Sequence, residues 1–400
     1  MKKIIAIIGG GPAALMLAAQ LNTNKFDVTI YERNAAVGRK FLVAGQGGFN
    51  LTHGESVDQL VTRYNPSSFL KNKIFSFSNT DLREWLSAIG IETFVGSSNR
   101  VFPVKGTKPI EVLNAILNSL SLKNVKVLTR HLWQGWNEKK DLVFSTEKED
   151  SKIIKADYIV FALGGGSWQK TGSDGSWTTL FAAKGVKCNP FEASNCAFQI
   201  NWPQEFIKQT EGKPIKNIAV KCLDKEKRGE IVVTSFGLEG GAVYALSPEI
   251  RQQLAANNSA IIYIDLKPDL PIEEIKRRLN YERGKKSWSK HLEDQLKFSK
   301  VQLTLLKSEL TKEDFLNIDT LSSKIKKIPI QIIATAPVDE AISTVGGVSL
   351  DEIDTDFQLK KLPGHYAIGE MLDWDAPTGG YLLQACFSMG HSLAIRLNEL

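Results

Sequence analysis

The chain opens on an unbroken apolar run, Ile4-Ile5-Ala6-Ile7-Ile8. It stops at Gly9-Gly10-Gly11-Pro12-Ala13-Ala14 and resumes as a helical run from Leu15 to Leu21. A stretch apolar at every position, with no alternation, reads as a strand buried on both faces, as in a parallel sheet. Strand, glycines and helix together spell GxGxxA, with Ala14 at the third position, where glycine or alanine allows close helix–strand packing. Gly9 makes the tight turn and Gly11 lets a pyrophosphate approach the backbone. The phosphates then rest on the free N–H groups at the helix start, beside Pro12 and Ala13. Met1-Lys2-Lys3 ahead of an apolar run also imitates an export signal, but the glycine string gives these residues a structural task. No other segment reaches the roughly eighteen apolar residues of a membrane span. A cytoplasmic protein without a membrane partner is therefore expected.

A second strand, Val28-Thr29-Ile30-Tyr31, ends on Glu32. That is about the 20-residue spacing at which an acid meets the ribose hydroxyls of a bound adenosine. A carboxylate there repels a 2′-phosphate, so the nucleotide is FAD-like or NAD-like. The residues after Glu32 separate these two. Arg39 and Lys40 can neutralise phosphate charge, and Arg33, next to Glu32, is a further cofactor-binding candidate. The stretch Ala44-Gly45-Gln46-Gly47-Gly48-Phe49-Asn50 carries a second glycine string, which a plain NAD-binding unit has no reason to hold. Gly45, Gly47, Gly48 and Asn50 would let the backbone pass close to a flat flavin ring, although a flexible surface loop has the same composition.

The middle of the chain returns to the same fold. Pro109 to Leu120 reads as an amphipathic helix and Val125 to Leu128 as a strand leaving through His131-Leu132. A small hairpin sheet follows at 142–154, then a buried strand ending Ala162-Leu163-Gly164. Two-dinucleotide-binding-domain flavoproteins show this order, with the third strand near the adenine; Leu163 stands where threonine is usual. Thr171 to Ser176 opens a helix and suits either an anion or an ordinary cap. Near the end, a strand runs into Gly369-Glu370, followed by Asp373 and Gly379-Gly380-Tyr381-Leu382 at the head of a last helix. Glu370 and Asp373 can hydrogen-bond ribityl hydroxyls. The helix start aims N–H groups at flavin N1 and O2, which become anionic on reduction.

With these motifs, IIGGGPAAL, GRKFLVAGQGGFNLTH from Gly38 and GEMLDWDAPTGGYLLQACFSMG from Gly369, the chain resembles the BaiN/YhiN-like family of bacterial FAD-dependent oxidoreductases. Many relatives read GGGRCN where this chain has Gln46-Gly47-Gly48-Phe49-Asn50, so no role of that arginine or cysteine carries over. The resemblance implies an α/β fold: a Rossmann-like, glutathione-reductase-type FAD domain with an inserted β-barrel-like subdomain and a helical one. On this sequence the FAD domain takes 1–190 and 331–400, the β-rich insertion 191–270 and the helical insertion 271–330. The cofactor is then non-covalent FAD. Relatives reduce alkene bonds in steroid-like molecules, which makes an apolar organic substrate an expectation.

No second GxGxxG–acid unit occurs, so NAD(P)H has to visit the flavin face transiently, or another reductant serves. Four scattered cysteines with no CxxC or Cys/His grouping exclude a sequence-evident zinc site, and no metal is expected. The net charge of +6 permits an acidic partner without arguing for one. A basic stretch, Lys276 to Lys290, suits an RNA-modifying flavoprotein, yet acidic residues interleave with it as on a solvated helix surface. A non-catalytic FAD-binding protein is a third class. The residues name neither a general acid, for which His53 is a candidate with an equal structural reading, nor an oligomeric state.

Overall fold

The computed structural model describes residues 1–43 and 49–400. Strand β1 (Lys3–Ile8), helix α1 (Pro12–Gln20) and strand β2 (Phe26–Tyr31) form the opening unit, and β1 pairs in parallel with β2. Ile5 and Ile7 are fully buried on one side of β1, and Ala6 and Ile8 almost so on the other. Both faces are therefore covered, as the continuous apolar text requires. A short sheet follows, in the order β3 (Thr52–His53), β5 (Arg100–Pro103), β4 (Thr93–Val95). Helices at Val57–Val61, Ser67–Ser76 and Asn79–Ala88 lie between its strands in the sequence. Further on come β6 (Lys126–Leu128), a three-stranded meander β7 (His131–Trp136), β8 (Leu142–Thr146) and β9 (Lys152–Ile154), and then β10 (Tyr158–Phe161).

The main sheet is parallel and draws on both halves of the chain. Its order is His365–Ala367, β10, β1, β2, β6. The C-terminal helix, Tyr381–Glu399, packs on α1 with its backbone nearly touching. A Cβ on Gly390 would stand 2.5 Å from the Ala13 carbonyl oxygen, so only glycine allows that approach.

The chain divides into two compact units: Met1–Ala193 with Ile342–Leu400, and Ser194–Ala341. The second holds a seven-stranded sheet and the helices Ile272–Leu279, Trp288–Leu296, Lys300–Ser308, Lys312–Leu316 and Ile318–Lys326. One departure from the sequence expectation lies here. Residues 331–341 belong to this second unit, not to the nucleotide-binding one. Ile328–Ile332 pairs antiparallel with Ala260–Asp265, placing Ile328, Ile330 and Ile332 in the core, while Ala334–Thr335 pairs with Phe198–Gln199. One continuous stretch thus supplies both edge strands of the sheet. No helix among the described residues is long and apolar enough to cross a membrane.

Candidate cofactor site

The turn after β1 is a cradle that glycine alone can form. Gly9 has φ +102°, and a Cβ there would lie 2.3 Å from the Ala162 carbonyl oxygen. Gly10 is pressed against Val37 and donates its N–H to Glu32 Oε2 at 2.9 Å. At Gly11 nothing lies within 4 Å of the Cβ position, so the backbone faces open space. Gly11 also caps α1 without any side-chain cap, and no acidic residue sits in the first helical turn. The first N–H groups of α1 are left for a ligand, and a helix start of this kind favours an anion.

Glu32 directly follows β2 and is buried. Its Oε2 takes the Gly10 N–H, and its Oε1 takes the backbone N–H and the side-chain amide of Asn34, both at 2.8 Å. A carboxylate has about four lone-pair sites, two on each oxygen; Oε1 is filled by its two donors, and Oε2 retains room for one hydroxyl donor. The three basic residues expected at the cofactor, Arg39 and Lys40 on phosphate among them, are already engaged. Arg33 pairs with Asp174 at 2.8 Å, and Arg39 donates to Asn34 Oδ1 at 2.6 Å. Lys40 donates to Ser167 Oγ at 2.9 Å and to both Glu370 oxygens at 3.1 Å. Burial alone would raise the Asp174 carboxyl, but its bonds with Arg33 and Ser176 outweigh that and hold it below its ordinary value.

These groups line one solvent-open cleft. From the first half of the chain it takes Gly9, Gly11, Pro12, Ala13, Glu32, Arg33, Arg39, Lys40 and Leu132. Ala162, Leu163 and Gly164 come from the turn after β10, and Gly369 and Glu370 from the far end of the sequence. Gly45, Gly47 and Gly48 lie outside the described residues. Ala14 is fully buried inside α1, and Asn50 is half-buried next to the core residue Leu51. Asp373 does not reach the cleft lining; its oxygens accept from the Gly346 N–H at 2.9 Å and the Asn189 amide at 2.6 Å.

Three residues of the lining carry no mark of a site in the sequence: His131, Trp133 and Trp177. The His131 Nε2 and both indole N–H groups are buried with no hydrogen-bond partner among the described residues. His131 Nδ1 lies 2.7 Å from the Thr129 carbonyl oxygen, so Nδ1 carries the proton and Nε2 is left as an acceptor. One acceptor and two donors without partners, on the walls of a single cleft, are what the edge of an adenine ring would satisfy. The phosphate cradle, the ribose acid and these orphaned groups together fit FAD. Cys386 also lines the cleft, but burial pushes its thiol up to about 12, so it is not a thiolate nucleophile.

Gly379, Gly380, Tyr381 and Leu382 stand off the cleft lining, at the head of the C-terminal helix. A Cβ on Gly380 would lie 2.6 Å from the Thr52 backbone. Tyr381 stacks on His53, ring centroids 5.0 Å apart, and Tyr64 donates its hydroxyl to the Tyr381 carbonyl at 3.0 Å. Glu55 takes Arg63 through Nε at 3.1 Å and Nη2 at 2.7 Å, and it also bonds the Tyr381 hydroxyl. Leu382 is half-buried against the core.

The sequence pattern of the HI0933-like protein Rossmann domain matches residues 3–395. The chain belongs to the HI0933-like family. It is 24% identical to the 3-dehydro-bile acid delta(4,6)-reductase of Clostridium scindens, over 97% of each chain. It is likewise 24% identical to the ribosomal RNA dihydrouridine synthase of Haemophilus influenzae, over 98% of each. Among solved structures, the whole HI0933-like chain aligns with 97% of a 3-ketosteroid-delta4-(5alpha)-dehydrogenase from Rhodococcus jostii RHA1 at TM-score 0.52 and 12% identity. It also aligns with 78% of a flavocytochrome c3 fumarate reductase at TM-score 0.53 and 12% identity. At that identity the likeness shows a shared fold. The BaiN/YhiN-like resemblance thus extends over the whole chain.

Proposed function

We propose that this chain is an FAD-dependent oxidoreductase that reduces a carbon–carbon double bond conjugated to a carbonyl group. The observation that carries the reading is the single cleft built by Gly9–Ala13, Glu32 and Lys40 together with Gly369–Glu370. Bound there, FAD supplies hydride chemistry. The chain holds it: the α1 start takes the pyrophosphate, Glu32 the ribose hydroxyls, and Glu370 the ribityl hydroxyls. The relatives support the acceptor class. A delta(4,6)-reductase and a dihydrouridine synthase both name hydrogen added across a carbon–carbon double bond. NAD(P)H is the donor to try first, as a transient visitor, because the sequence carries one dinucleotide motif. The test is the absorbance of the pure protein before and after acid precipitation, followed by anaerobic bleaching with NADPH and recolouring by an added enone. A colourless protein that takes up no FAD overturns the reading.

A second reading, an RNA substrate, draws on the two relatives named as ribosomal RNA dihydrouridine synthases. Against it stands the state of the basic stretch. Lys276 pairs with Asp319 at 2.8 Å, Lys286 with Asp294 at 2.8 Å, Lys290 with Asp294 at 3.1 Å, and Arg277 and Arg278 with Glu274. Cations engaged this way offer little to a phosphate backbone. RNA binding that falls steeply with added salt would favour this second reading.

A further inference from the structure

The small sheet β3–β5–β4 presents a feature that the cofactor cleft does not use. Residues directly opposite across an antiparallel pair share a face. His53 is opposite Arg100, and Phe94 is opposite Phe102, while Arg100 and Phe102 are two apart on β5. One face therefore carries His53, Arg100, Phe102 and Phe94 in a row, with Val101 buried on the other. The Phe94 and Phe102 rings lie 5.8 Å apart, and Phe94 remains 45% exposed.

Among the described residues, Arg100 is an uncompensated charge of this face. Burial lowers His53 below its ordinary value, so it is neutral at pH 7. Arg63 is matched by Glu55. The Arg100 side chain has no ion pair or hydrogen bond among the described residues. Its Nε lies 3.7 Å from where a Gly379 Cβ would stand, so the guanidinium sits at the turn that heads the C-terminal helix. A half-buried guanidinium left without an acceptor beside an exposed aromatic pair matches a ligand with an oxyanion on an apolar body.

We propose that Arg100 binds the carbonyl oxygen of the acceptor, with Phe94 and Phe102 against its apolar part; this rests on the oxidoreductase reading above. Hydride added at the far end of a conjugated double bond moves the bond's electron pair onto the carbonyl oxygen. The oxygen returns it when the neighbouring carbon takes a proton from water. A fixed cation at that oxygen favours the charged stage over the neutral one.

The probe is 4-nitrophenol, an oxyanion on an apolar ring, titrated by difference absorbance on the FAD-loaded full chain. Wild type should bind the phenolate about tenfold more tightly than the phenol, lowering the bound ligand's apparent pKa by about one unit. Arg100→Gln should abolish that shift, Arg100→Lys should keep part of it, and Phe94→Ala should weaken both forms while leaving it in place. A shift that survives Arg100→Gln, or no uptake by wild type, overturns the assignment. Flavin content of the same preparations reports the oxidoreductase reading separately: a protein full of FAD that ignores the phenolate loses only Arg100's role.

Discussion

Lys40 Nζ lies 3.1 Å from both carboxylate oxygens of Glu370, although 330 positions separate the two residues. The pair spans the cleft and is less than one-third exposed on either side. Lys40→Met strands a partly buried carboxylate and should destabilise the flavin-free protein by about 1–3 kcal/mol in urea unfolding. Adding Glu370→Gln should recover most of that loss. A double variant as unstable as the sum of its parts would show that the two residues act independently.

Glu32→Ala removes the acceptor for Gly10 and Asn34 together with the proposed ribose contact. FAD affinity should fall by about 1.5–3 kcal/mol, as for hydrogen bonds to a charged group. Flavin fluorescence titration measures it. Undiminished affinity would mean that the adenosine half lies elsewhere.

Gly11→Leu and Gly9→Ala separate binding from folding. The Gly11 Cβ position is open, so leucine there should leave the melting temperature nearly unchanged and block FAD uptake. At Gly9, positive φ and the Ala162 carbonyl leave no room even for a methyl group, so alanine should destabilise the fold itself. Equal stability of the two variants would contradict this geometry.

Trp177→Phe deletes a buried indole N–H that lacks a partner among the described residues. Without flavin the variant should be as stable as wild type or slightly more so, since an unsatisfied donor costs roughly 1–3 kcal/mol. FAD affinity should drop about tenfold if adenine takes that N–H. Unchanged affinity would remove Trp177 from the adenine edge.

Burial holds His53, His365 and His391 below the ordinary 6.5. An imidazole that resists protonation in the folded state gives stability that is complete above 6.5 and lost as pH falls toward the folded value. Unfolding free energy should therefore decline from pH 7 to pH 5. His391→Leu should flatten the decline, which urea titrations across that range would detect.

The sequence disclosed the opening turn because its information is local. Gly9, Gly11 and Glu32 carry their meaning within about thirty residues, and the continuous apolar run of β1 states its two-sided burial. Glu370 was legible for the same reason, as an acid at a strand end. The small sheet was not. Its strands are two to four residues long, too short for any period to register, and β3 pairs with β5 some fifty positions away. The grouping of Arg100 and His53 therefore has no signature along the chain. Ile328–Ile332 shows the matching difficulty: alternation marks a strand but does not name its partner, and pairing with 260–264 placed it in the second unit. His131, Trp133 and Trp177 pass for core in the sequence because an aromatic wall and an aromatic core share one composition. Only the missing hydrogen-bond partners set them apart.

The contact of Gly390 with the Ala13 carbonyl has a consequence for synthesis. The helix that braces α1 and the acid that faces it are synthesised more than 350 residues after the nucleotide cradle. An unfinished chain therefore holds a glycine turn and a naked helix with nothing at their back. Flavin loading must wait until that acid and helix have been made, and nascent chains halted before Gly369 should emerge colourless however much FAD surrounds them.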